Sequence, residues 1–143
     1  MNLCDSAAAI NSSLIGVPTK YMNRLMSSLY ERLGGTDGIV AIASDLVDLH
    51  LGNPRIAPRY AASDIAAVKN AAATFCIAAS GGPSVYEGKD MVTAHRGMNI
   101  DDAEFVAVLD DTIAALDNNG IGQREKEEVL FFFYSLKAEI VHM

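Results

Sequence analysis

Residues 90–100 read DMVTAHRGMNI, with His95 at their centre. The chain has three histidines, and His50 and His142 lie in plainer surroundings. A lone histidine in an apolar segment is ordinarily a satisfied core residue. From these residues alone that reading stands beside the alternative of a metal ligand. Which of the two holds decides what the neighbouring helices enclose.

Outward from this segment the pattern is helical in both directions. In YMNRLMSSLYERLGG, Leu25, Met26, Leu29, Tyr30 and Leu33 recur every three to four positions, and Gly34-Gly35 ends the run. Thr36 is placed to cap a second helix with Ile39, Ile42, Leu46 and Leu49 on one stripe; it stops near Gly52-Asn53-Pro54, because proline disfavours helix in the residue before it. Ser63-Asp64 caps a third, carrying Ile65, Val68, Ala72, Phe75 and Ala79, which Ser80-Gly81-Gly82-Pro83 breaks. The loop SVYEGKD and one short helix around His95 follow. Asp101-Asp102 suits the positive end of a further helix bearing Phe105, Val108, Thr112 and Leu116. The last segment, about 123–141, becomes apolar nearly all round at VLFFFYSL and reads as the central buried helix. No alternating strand pattern competes. The expectation is an all-α domain over residues 25–143, with residues 1–24 as a mobile amino-terminal extension.

Composition narrows the function. At 143 residues one domain is natural, and 11 basic against 18 acidic residues give a net charge of −7. Such a chain repels polyphosphate, so nucleic acid is not expected as a partner. No basic block anchors it to anionic lipid, and no apolar run is long enough to span a bilayer. The amino terminus lacks the charged start of a secretory signal, which makes the cytoplasm the expected compartment. Cys4 and Cys76 form neither a disulfide framework nor a CxxC pair.

Phosphate-loop, nucleophilic-triad and di-iron Glu-x-x-His patterns do not occur, and Asp101-Asp102 and Asp110-Asp111 read as a cap and a solvated face. Three scattered histidines without nearby thiolates do not make a zinc site. A metal that needs one protein ligand remains, and haem iron is that case, because the porphyrin supplies four. Haem also needs an apolar slot with aromatic walls and polar groups at its rim. Phe75 and Phe105 fall on inward faces, Met91 precedes His95 by one helical turn, and Met98 follows it closely. Tyr86 and Lys89 lie in the connecting loop, within reach of carboxylates.

LYERLGG (29–35), GNPRIAPRY (52–60), GGPSVYEGKDMVTAHRGMNI (81–100) and AEF (103–105) resemble, in order and interval, the blocks of the truncated haemoglobins, most closely their first group. The resemblance runs from about Leu29 to Val141. It implies a two-over-two helical sandwich around haem b that binds O2, CO or NO reversibly. It assigns His95 as proximal iron ligand and matches Tyr86 and Lys89 to positions that contact haem propionates. Tyr60 falls where the family packs a phenylalanine on the haem.

The far side of the haem departs from the family. Its phenylalanine-tyrosine pair on the second helix corresponds here to Leu46 and Val47, and the polar positions of the third helix to Val68 and Ala72. A hydrogen bond to a charged group contributes about 1.5–3 kcal/mol. Loss of the tyrosine hydroxyl is therefore expected to speed O2 release relative to tyrosine-bearing relatives. The Tyr60 hydroxyl is expected at the haem edge, and His50 and Lys69 on helix surfaces rather than at the iron. Nitric-oxide dioxygenation with a separate reductase, and gas or redox sensing, are the alternative functions. A monomer or weak dimer is expected.

Overall fold

The computed structural model describes Gly16 and residues 18–143. Among them are eight α-helices: α1 (Thr19–Met26), α2 (Leu29–Arg32), α3 (Gly35–Gly52), α4 (Ile65–Ala79), α5 (Met91–His95), α6 (Asp102–Asn118), α7 (Gln123–Ser135) and α8 (Lys137–Ile140). A 3-10 turn, Ala57–Tyr60, joins α3 to α4. The described residues contain no strand; Ile100 and Val141 form one isolated parallel bridge. None of these helices is long and apolar enough to cross a membrane.

The helices pack as two layers. α3 lies against α4 and crosses α6, and α6 packs on α7. Their meeting place is filled by Leu33, Ile39, Ile77, Leu116 and Val129. Each came from a residue on an apolar stripe with helical spacing, and burying one such side chain stabilises the fold by roughly 1.5–3 kcal/mol.

Three expectations change. The apolar run over 21–35 is not one helix but α1 and α2, broken at Ser27-Ser28. The Ser28 hydroxyl accepts the Glu31 amide at 3.2 Å, and the Glu31 carboxylate accepts the Ser28 amide at 3.0 Å. This reciprocal cap starts a new helix where the leucine spacing alone runs on. Thr36 does not cap α3; its hydroxyl bonds the Tyr30 hydroxyl at 2.9 Å. The apolar carboxy-terminal segment is not the central helix. It divides into α7 and α8, and Phe131 stands 79% exposed while Phe132 and Phe133 turn inward. An outer helix of a two-layer stack can bury only one side, so three consecutive phenylalanines cannot all face the core. The central position belongs to α3, which touches both layers. The expected extension over 1–24 falls largely outside the described residues, and from Thr19 onward it is the helix α1.

Candidate functional site

His95 is held by a short helix with a strong beginning. The Asp90 carboxylate accepts the Thr93 amide and the Thr93 hydroxyl, both at 2.9 Å. Those bonds, the amide first, keep the Asp90 carboxyl below the usual aspartate range. One turn on, His95 Nδ1 lies 2.7 Å from the Met91 carbonyl. A carbonyl only accepts, so Nδ1 carries the proton and Nε2 is left with its lone pair. That is the arrangement of a metal-binding imidazole, whose second nitrogen donates to a carbonyl or carboxylate that fixes the ring. His95 is half-buried.

The chain beyond His95 is tied down as well. Arg59 donates to the Met98 carbonyl at 2.7 Å and pairs with Glu104. The carboxy terminus returns to this segment: Asn99 N–H donates to Met143 and His142 N–H to Ile100. α8 packs on α5. The donor set therefore fits one axial ligand to haem iron, presented by a helix braced from both sides.

The aromatic residues named from sequence divide between two places. Phe75 meets Tyr86 edge-on at 5.2 Å and Phe132 at 5.9 Å, which makes one aromatic wall. The Tyr86 hydroxyl donates to the Lys89 carbonyl at 2.7 Å, folding the loop upon itself. Gly88 allows this closure, because a Cβ there would collide with the Tyr86 ring and hydroxyl. The phenol proton is thus engaged within the loop, while the Lys89 side chain is exposed. Met91 and Met98 are half-buried, and buried Phe105 packs edge-on against Tyr134 of α7 at 6.3 Å.

Leu46 and Val47 are buried on α3, and Val68 and Ala72 are half-buried on α4, the helix packed against it. Leu46 also lines an apolar cavity of ≈ 100 Å³, shared with Ala43, Cys76, Leu116, Phe132 and Phe133; Val47, Val68 and Ala72 do not line it. Burial pushes the Cys76 thiol up to about 11.

His50 corrects the sequence reading. It is 5% exposed, and its Nδ1 lies 2.8 Å from Asp111 Oδ2. Asn53 donates to both oxygens of the same carboxylate at 3.2 Å. The Tyr60 ring stacks on the imidazole at 6.1 Å with 12° between planes. Asp111 is accordingly not part of a solvated face. The signal was available: Ile39, Ala43, Leu46, Val47 and His50 share the buried side of α3, and a histidine on that stripe needs a partner. Lys69 stays on the surface, bonded to Ser44 at 2.9 Å and paired with Asp48 at 2.7 Å.

A lone imidazole presented in this way by a short helix within a two-layer helical stack is matched by comparison with known proteins. The family described as bacterial-like globin matches residues 28–142. This chain is a bacterial-like globin. The globin is similar to the group 1 truncated haemoglobin of Nostoc sp., 26% identical over 117 residues, covering 82% of this chain and 99% of that protein. It is 31% identical over 100 residues to the one from Synechocystis sp., covering 67% of this chain and 81% of the relative. The crystal structure of the truncated haemoglobin from Tetrahymena pyriformis in its Fe(III) form superposes with a TM-score of 0.79 at 24% identity, over 82% of this chain and all of that one (100%). The globin is thus a group I-like truncated haemoglobin, and membership of that family makes it a haem-binding globin.

Proposed function

We propose that this globin binds haem b through His95 Nε2 and takes up O2, CO or NO reversibly. The observation that carries the reading is the Nδ1 contact to the Met91 carbonyl, which fixes the tautomer that leaves Nε2 able to coordinate. When bound, haem iron supplies the open coordination position for a diatomic gas. The chain supplies the rest. Phe75, Tyr86, Met91, Met98 and Phe105 furnish apolar and aromatic surface for the macrocycle, and Lys89 leaves a cation at the loop for a carboxylate. With no Cys-x-x-Cys-His run in the sequence, noncovalent haem b is the form these residues suit. Leu46, Val47, Val68 and Ala72 make the gas-binding side apolar, a surface that excludes water and favours a neutral ligand.

Absorption spectra of the haem-reconstituted protein in ferric, ferrous and CO-bound forms test this, beside the His95→Ala variant. A Soret band that shifts with CO in the unmodified protein is expected, with His95→Ala losing that response or the haem itself. Absence of a Soret band in the unmodified protein sinks the proposal.

A further inference from the structure

A buried polar group at the α3–α6 boundary lies apart from the His95 side: Asp111, Asn53, His50 and Tyr60. A buried His–Asp contact is weak evidence for stability, since desolvation of both groups offsets their attraction and apolar residues of the same size serve as well. Its geometric effect is larger. Asp111 holds the imidazole by Nδ1 at 2.8 Å, and two contacts from Asn53 hold the carboxylate. The imidazole plane is therefore fixed, and the Tyr60 ring lies almost parallel to it. The backbone beside Tyr60 is pinned too, because Arg59 bonds Glu104 and the Met98 carbonyl. The Tyr60 hydroxyl, in contrast, has no hydrogen-bond partner among the described residues and keeps some accessible surface. Burial raises its acid constant above the ordinary tyrosine range, so the phenol stays a donor. Elsewhere the nearby hydroxyls are spent on the backbone: Thr112 donates to Val108, and Ser80 to Cys76.

We propose that Tyr60 is the hydrogen-bond donor to a polar diatomic gas in this globin, and that His50, locked by Asp111 and Asn53, is the positioning residue that aims it. The inference rests on the haem-globin reading above. It replaces the lost hydroxyl at position 47 with one arriving from the 3-10 turn.

The haem-loaded full chain is compared with Tyr60→Phe, which keeps the ring, and His50→Gln, which keeps a polar partner for Asp111 but removes the stack. Tyr60→Phe is expected to speed O2 dissociation about tenfold while CO dissociation changes less than about twofold. His50→Gln is expected to fall between. In the ferrous CO form, the pH titration of a carbon-13 tyrosine resonance, assigned to Tyr60 by its loss in Tyr60→Phe, moves towards the ordinary tyrosine value in His50→Gln. Should His50→Gln not fold, Asp111→Ala keeps both rings but frees the imidazole to turn, and the same shift is expected. An unchanged O2 rate in Tyr60→Phe overturns the donor, and an unchanged Tyr60 titration overturns the positioning. Failure of the underlying reading shows separately, as a missing Soret band in the unmodified protein.

Discussion

At the scale of single residues, two histidines of the same chemistry are put to different uses by what faces Nδ1. The Met91 carbonyl leaves His95 with a bare Nε2, whereas Asp111 ties His50 into a packed polar group. The first partner is four residues away on one helix turn; the second comes from another helix. Val47 is the residue whose side chain departs most from the family pattern, and it is 2% exposed. Placing a hydroxyl there should act on a polar ligand far more than on a weakly polar one. Val47→Tyr is expected to slow O2 dissociation by about tenfold or more and to leave CO dissociation within about twofold, by flash photolysis and stopped flow. Equal slowing of both gases would mean that the added ring merely blocks the pocket.

At the scale of elements, α5 is too short to persist by its own hydrogen bonds, since helix nucleation is costly and five residues repay little of it. Its cap and the returning carboxy terminus hold it. Asp90→Ala removes the two bonds to Thr93 and should loosen the helix that presents His95, raising haem transfer to apomyoglobin several-fold. The Asp90 carboxyl titrates below its ordinary range, so the cap is intact above that range and is lost as pH falls through the folded value. Haem loss in the unmodified protein is therefore expected to accelerate in mild acid, and much less so in Asp90→Ala. Identical acid sensitivity of the two proteins would remove the cap from this role. The other lesson at this scale is the apolar segment 123–141, where hydrophobicity without a stripe suggested a buried helix. α7 shows that such a segment in a two-layer stack leaves Phe131 and Tyr134 outside.

At the scale of the whole molecule, α3 joins both layers, and the apolar cavity sits where α3, α4, α6 and α7 converge. Cys76 lies on that cavity with its thiol raised from 9.0 to about 11 by burial. The unfolded thiol ionises first, so this group contributes its full stability below pH 9, which is lost as pH rises towards 11. Urea unfolding at about pH 7.5 and about pH 10.5 checks it. The unmodified globin is expected to lose more stability between the two than Cys76→Ala, and equal losses would place the thiol in contact with bulk water.

By itself the sequence determined the all-α class, most of the helix limits and the histidine that suits an iron. Those are local properties: apolar spacing, caps such as Asp64 and Asp101, and stops such as Gly34 and Gly81 act within a few residues of one another. The family blocks added the pairing of His95 with haem, which spacing alone left open. Tertiary structure decided the rest. That His50 is buried depends on Asp111, 61 residues away, arriving on α6. That α5 holds its shape depends on residues 141–143 folding back across residues 99–100. That Tyr60 has a fixed plane but no partner for its hydroxyl depends on both. Long-range contacts of this kind leave no periodicity in the chain, because the two halves of each contact are selected only where the helices cross.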